Sequence, residues 1–153
     1  MSVTIGQRLP DFRAASTGGE FSLSSTKGRK LVLYFYPKDN TPGCTNESID
    51  FRDRIDAFEK AGATIVGVSR DSLKSHEGFR AKHALPFELI SDPDEALCGL
   101  FDVMKMKNMY GRQVRGVERS TFVIGADGTL AREWRGVKVP GHADEVLDFV
   151  RSI

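Results

Sequence analysis

Six consecutive apolar residues, Leu31-Val32-Leu33-Tyr34-Phe35-Tyr36, run without a polar interruption and stop at Pro37. A run of this length, rich in β-branched and aromatic side chains, predicts a strand covered on both faces. Such a strand needs layers above and below it, so the chain is directed towards a sheet sandwiched between other elements. Thr64-Ile65-Val66-Gly67-Val68-Ser69 repeats the pattern. Between the two lies a Pro/Gly loop over 38–43 and a predicted helix over 44–61. Within that helix Cys44, Ser48, Phe51, Ile55 and Phe58 recur at helical spacing, and Gly62 stops the run.

Residues 9–23 read as a hairpin, with Phe12 and Phe21 flanking the Gly18-Gly19 turn. After the second buried strand the pattern predicts a helix over 72–83 and, behind Pro86, a short strand over 87–90. A helix opens at Pro93 with Asp92 as its N-cap and runs to about Phe101. Residues 102–118 carry Met104, Lys105, Met106, Lys107 and Met109 with two glycines, and are expected to form an irregular, mobile loop; lining the substrate entrance or contacting a partner is the alternative. Strands over 121–124 and 130–135 flank an Ala126-Asp127-Gly128 turn, and a last helix covers 142–152. Strands alternating with helices, closed by this late hairpin, predict one α/β domain over 1–153 around a mixed central sheet. The order is compatible with a thioredoxin-like core carrying an N-terminal hairpin, and equally with other α/β folds.

Lys+Arg 22 against Asp+Glu 21 gives a net charge of +1, which offers no electrostatic footprint for nucleic acid or an anionic membrane. No apolar stretch approaches the roughly 20 residues of a membrane span. The opening residues from Met1 to Gly6 lack a basic segment followed by an apolar run, so a cytoplasmic location is expected. His76, His83 and His142 show no metal-ligand spacing with the cysteines, and solvated or capping roles are expected of them.

Two cysteines, Cys44 and Cys98, are too few to staple a scaffold, so the question is which thiol reacts. Cys44 follows a buried strand and a Pro/Gly loop and opens a helix, the position where α/β sheets bind ligands. Free N–H groups and the helix dipole there favour a thiolate. Lowering a thiol from pKa ~8.5 to ~6 takes about 3.4 kcal/mol. A helix end supplies roughly 0.3–1 kcal/mol, or ~2 when partly buried. A further donor is required, and an arginine hydrogen bond of roughly 1.5–3 kcal/mol fills the gap. Acidity alone is still a weak catalyst. It raises the thiolate fraction at pH 7 about 30-fold but lowers nucleophilicity about 10–18-fold, a net gain of about two- to threefold. Large acceleration has to come from holding the substrate and stabilising the departing oxygen.

Pro37, Thr41 and Cys44 match the Pro-x-x-x-Thr-x-x-Cys signature of peroxiredoxins, and Thr41-Pro42-Gly43-Cys44-Thr45-x-Glu47 resembles the bacterioferritin-comigratory, or Q-type, subfamily. Ser91-Asp92-Pro93, Lys107 to Gly111, Arg119 to Ile124 and Val137 to His142 extend the likeness in order along nearly the whole chain. The resemblance implies a thioredoxin-like fold with an N-terminal extension, no metal or organic cofactor, and a monomer. It implies that Cys44 attacks the peroxide, that Thr41 hydrogen-bonds it, and that Arg119 is the active-site arginine. Pro37 and Pro42 would shape the loop, Gly43 would help bind substrate, and Glu47 would orient Arg119.

Attack on a hydroperoxide leaves a sulfenic acid that a second thiol must resolve. In the Q-type subfamily the resolving cysteine commonly lies five residues on or in the next helix. Here Ile49 holds the first position and the helix over 72–83 has no cysteine. Cys98, among apolar neighbours, reads as a packing residue, though a resolving role stays open. The expectation is a one-cysteine peroxidase acting on hydrogen peroxide and organic hydroperoxides. Glutathione, a glutaredoxin or thioredoxin would then reduce Cys44. The alternatives are a peroxidase resolved by Cys98 and a non-catalytic redox sensor or holdase. A Cys-x-x-Cys oxidoreductase is disfavoured, because Glu47 stands where the second cysteine belongs.

Overall fold

The computed structural model describes residues 3–153, so Met1 and Ser2, on which part of the leader-segment argument rests, lie outside the described residues. In chain order the elements are β1 (Arg13–Ser16), β2 (Gly19–Ser22), a 3-10 turn (Leu23–Thr26), β3 (Lys30–Phe35), α1 (Pro42–Asp53) and α2 (Ile55–Lys60). There follow β4 (Ala63–Ser69), α3 (Leu73–Lys82), β5 (Glu88–Ser91), α4 (Ala96–Leu100), β6 (Met104–Met109) and β7 (Arg112–Val117). The chain closes with β8 (Ser120–Ile124), β9 (Leu130–Arg135) and α5 (His142–Ser152).

Seven strands form one sheet in the order β2-β1-β5-β4-β3-β8-β9. The apolar run becomes the centre of that sheet, as its composition requires. β3 pairs in parallel with β4 (Leu33 opposite Val66) and antiparallel with β8 (Leu33 opposite Phe122). The mixed sheet expected from the late hairpin is therefore present.

Because side chains alternate along a strand, β3 feeds two separate cores. Leu31, Leu33 and Phe35 point to one face, where Leu97, Cys98, Phe101, Val103, Val117 and Phe122 complete the packing. Val32, Tyr34 and Tyr36 point to the other, against Cys44, Phe51, Phe58, Phe79, Val146 and Val150 from α1, α2, α3 and α5. Each fully buried Phe in these layers contributes roughly 1.5–3 kcal/mol over an exposed one.

Three local expectations are corrected. The helix over 44–61 starts two residues earlier, at Pro42, whose fixed φ and missing N–H suit a first helical position. It is also broken in two at Arg54, which has φ −112° and ψ 11°. Pro93 does not open a helix; α4 begins at Ala96, because Glu95 takes a left-handed conformation (φ 62°). Asp92 still serves that helix from outside it, its carboxylate accepting from the amides of Leu97 (3.1 Å) and Cys98 (2.8 Å). Finally, 102–118 is not irregular: β6 and β7 form an antiparallel hairpin turned by Tyr110 and Gly111, both at positive φ.

Candidate active site

Tyr36 and Pro37 end the central strand and hand the chain to α1 through a loop whose geometry is fixed at several points. Thr41 stands at the N-cap in an extended conformation, and its hydroxyl donates to the Lys38 carbonyl at 2.8 Å. The first helical bond runs from the Thr45 amide to the Thr41 carbonyl (2.9 Å). Pro42 has no N–H, so the amides of Gly43 and Cys44 are the two donors left open at the helix start. Cys44 is 1% exposed, at the floor of this loop.

Arg119 reaches Cys44 from the two-residue junction between β7 and β8. Its carbonyl accepts from the Val137 amide at 2.9 Å, which holds the junction in place. Nη2 donates to the Cys44 sulfur at 3.4 Å, and Nη1 donates to Glu47 Oε1 at 2.8 Å. One guanidinium therefore bridges the thiol and a carboxylate one turn further along α1. Burial opposes the arginine's charge, but Glu47 and Cys44 outweigh it and hold the arginine above its ordinary value.

Glu47 bears the cost of this arrangement. Its side chain is 2% exposed, and Oε2 has no hydrogen-bond partner among the described residues. Burial pushes its pKa up to about 7 despite the counteracting pull of Arg119. Gly43 also belongs to the geometry: a Cβ there would lie 3.2 Å from Arg119 Nη2, so a side chain would crowd the guanidinium.

The structure thus brings Thr41, Pro42, Gly43, Cys44, Glu47 and Arg119 into one loop, helix-turn and strand junction, with half-buried Pro37 at its rim. It leaves Cys98 apart. Cys98 is fully buried in the core on the opposite face of the sheet from Cys44, and burial raises its thiol pKa strongly. A disulfide needs Cα atoms within about 7 Å; a sheet layer lies between these two.

Two of the histidines, His76 and His142, correct the expectation of solvated or capping roles, whereas half-buried His83 meets it at the C-cap of α3. His76 is completely buried, with Nδ1 2.7 Å from Asp39 Oδ2 and Nε2 2.9 Å from the Ile90 carbonyl. His142 is 5% exposed, 2.8 Å from the Thr121 hydroxyl, and burial lowers its pKa to about 4. His83 stacks edge-on against Phe79. The polar partners of His76 and His142 lie far off in sequence, which is why spacing did not reveal them. Lys107, expected in a loose segment, is tied by its ammonium to the Val117 carbonyl. Burial, and then repulsion from Arg119, lower its pKa.

A solitary thiol in a helix's first turn, held by a half-buried arginine on a thioredoxin-like sheet, is the arrangement of a thiol peroxidase. Comparison with known proteins agrees: residues 5–133 match the AhpC/TSA family model, and the chain belongs to that family, the peroxiredoxins. Within it the likeness is to the Bcp, or Q-type, members. Peroxiredoxin Bcp of Xanthomonas campestris is 58% identical over 137 residues, covering 90% of this chain and 86% of that protein. Peroxiredoxin Bcp of Bacillus subtilis is 47% identical over 154 residues, covering 100% and 98%. Among solved structures, a cysteine-to-serine variant of Xylella fastidiosa PrxQ superposes with a TM-score of 0.93 at 46% identity, covering 98% of this chain and 96% of that one. Among the described residues no helix is long and apolar enough to cross a membrane.

Proposed function

We propose that this peroxiredoxin reduces hydrogen peroxide and organic hydroperoxides through a single catalytic cysteine, Cys44, which an external thiol regenerates. The observation that carries this reading is the Arg119 bridge between the Cys44 sulfur and Glu47. The Cys44 thiolate attacks the terminal oxygen of the hydroperoxide; an S–O bond forms as the O–O bond breaks. Sulfur is oxidised by two electrons, and the departing oxygen takes up a proton and leaves as an alcohol, or as water. Arg119 and the open amides of Gly43 and Cys44 stabilise charge on the oxygens, and the Thr41 hydroxyl turns from the Lys38 carbonyl to the peroxide. Pro37 and Pro42 hold the loop and limit access by water. One solved relative, the bacterioferritin comigratory protein of Xanthomonas campestris, has alkyl peroxide reduction activity; it is 53% identical with a TM-score of 0.87, covering 92% of this chain and 90% of that one. That likeness supports organic hydroperoxides as substrates.

The sulfenic acid then condenses with an external thiol, releasing water, and a second thiol displaces the mixed disulfide. Glutathione, a glutaredoxin or thioredoxin supplies these equivalents. The placement of Cys98 on the opposite face of the sheet supports this one-cysteine cycle over internal resolution. The whole chain acts as one cytoplasmic, monomeric catalytic domain.

Two readouts test the reading. With excess thiol, steady peroxide consumption is expected; oxidation once per molecule without turnover would instead identify a sensor or holdase. Mass spectrometry of peroxide-treated protein is expected to show Cys44 oxidised alone or joined to added thiol. An intramolecular Cys44–Cys98 disulfide would overturn the one-cysteine cycle.

A further inference from the structure

Four elements meet behind the catalytic loop in a buried polar cluster that the proposed chemistry does not use. Asp39, two residues before Thr41, is 4% exposed. Its Oδ1 accepts from the Tyr36 hydroxyl at 2.6 Å, and its Oδ2 from the Ser75 hydroxyl at 2.9 Å and His76 Nδ1 at 2.7 Å. Its amide donates to Asp71 Oδ2 at 2.9 Å. Asp71 in turn accepts from the hydroxyl of Ser69, the last residue of β4, at 2.5 Å.

The placement of His76 follows from its partners. Nδ1 faces a carboxylate and Nε2 faces the Ile90 carbonyl at 2.9 Å, and neither partner can donate at neutral pH. Both ring nitrogens are thus engaged by oxygen partners, and the contact between His76 and Asp39 is fully buried. Burial opposes the Asp39 charge, but the bonds from His76 and Tyr36 outweigh it and hold that carboxyl below its ordinary range. Asp39, Asp71 and His76 are metal-ligand types, with ligand atoms within 4.8 Å of one another. Both ring nitrogens of His76 are already taken up by Asp39 and the Ile90 carbonyl, however, so the cluster acts as a clamp rather than a metal centre.

We propose that the Asp39–His76 pair is a positioning device for the peroxidase reaction, fixing the loop that carries Thr41 to α3 and β5 so that the peroxide oxygens are held in line with Cys44. Asp39 is bound through its side chain and its amide, and only Asn40, itself at positive φ (64°), separates it from Thr41. A loop released at Asp39 lets the Thr41 hydroxyl and the open amides drift, while Arg119, anchored beside β8, keeps its hold on the sulfur. The clamp therefore acts on peroxide placement and leaves the thiol's general reactivity alone. The inference rests on Cys44 being the sulfur that attacks peroxide.

The test compares two second-order rates of Cys44 in each variant: oxidation by hydrogen peroxide, which needs the placed oxygens, and alkylation by iodoacetamide, which does not. Asp39→Asn and the double variant Asp39→Asn/His76→Gln are expected to lower the ratio of the two rates about tenfold or more. Removing one partner strands the other in the interior, so Ser75→Ala, which keeps the pair and removes one donor to Asp39, serves as the gentler probe. It is expected to lower the ratio about threefold. Phe58→Leu, in the core away from the loop, is expected to lower the melting temperature and leave the ratio unchanged. Ratios within about twofold of wild type in the Asp39 variants that fold, with no change in Ser75→Ala, would overturn the proposal. If the wild-type protein itself reacts no faster with peroxide than an ordinary thiol does, the reading of Cys44 fails instead.

Discussion

Replacing Glu47 by Gln is expected to remove a pH dependence from folding stability. The carboxyl is buried, one oxygen is unpartnered, and its pKa rises from an ordinary 4.5 to about 7. The native state therefore binds this proton more tightly than the unfolded chain does. The resulting stabilisation is fully present below about pH 4.5 and is lost as pH rises through about 7. At about 1.4 kcal/mol for each tenfold change in proton affinity, it amounts to about 3 kcal/mol. His142 works in the opposite direction: its pKa falls from 6.5 to about 4, so its contribution is present above pH 6.5 and lost towards 4. The difference between wild type and variant cancels the His142 effect. Gln adds an amide N–H where Oε2 was unpartnered, a cost of about 1–3 kcal/mol that does not vary with pH. The assay is urea unfolding of both proteins between pH 4.5 and 8, followed by the fluorescence of the single tryptophan, Trp134. The stability difference is expected to move by about 3 kcal/mol in favour of Gln across that range. A difference constant to within about 0.5 kcal/mol would show that Glu47 stays ionised beside Arg119 throughout, and its raised proton affinity would be refuted.

Other substitutions separate the parts of the site. Thr41→Val should lower the peroxide rate about 100-fold and Thr41→Ser only a few-fold, since a hydroxyl is what the site requires; stopped-flow oxidation measures both. Gly43 has an ordinary φ inside a helix, so Gly43→Ala should raise the melting temperature slightly. Its Cβ crowds Arg119 Nη2, and the peroxide rate should fall about tenfold; unchanged kinetics would show that Arg119's position does not matter. Cys98→Ala is expected to cost about 1–2 kcal/mol in stability by unfilling its core position, while thiol-dependent turnover stays intact.

How much of this was legible in advance depended on the range of the signal. The apolar run at 31–36 dictated its own place at the sheet centre, and the Pro/Gly loop located Cys44 at a helix start from local chemistry alone. The β6–β7 hairpin also carried a signal, because Met104, Lys105, Met106 and Lys107 alternate as a strand should. Tyr110 concealed it, since a tyrosine at positive φ is not the residue a tight hairpin turn usually takes. The break at Arg54 has no such marker in its neighbours. Arg119 is 75 residues from Cys44 and His76 is 37 from Asp39, and contacts at that range are set by strand order rather than by spacing. Family likeness supplied Arg119; nothing in the sequence supplied the Asp39–His76 clamp.

The central claim is that Cys44 owes its rate to oxygens held by Arg119 and Thr41, and only in small part to its acidity. The most direct measurement is the second-order reaction of Cys44 with hydrogen peroxide in wild type and Arg119→Ala, each corrected for the thiolate fraction found by titrating the same protein. A corrected loss of about 100-fold or more is the expected result. If the loss vanishes once the thiolate fraction is taken into account, Arg119 does no more than acidify the thiol, and the central claim is contradicted.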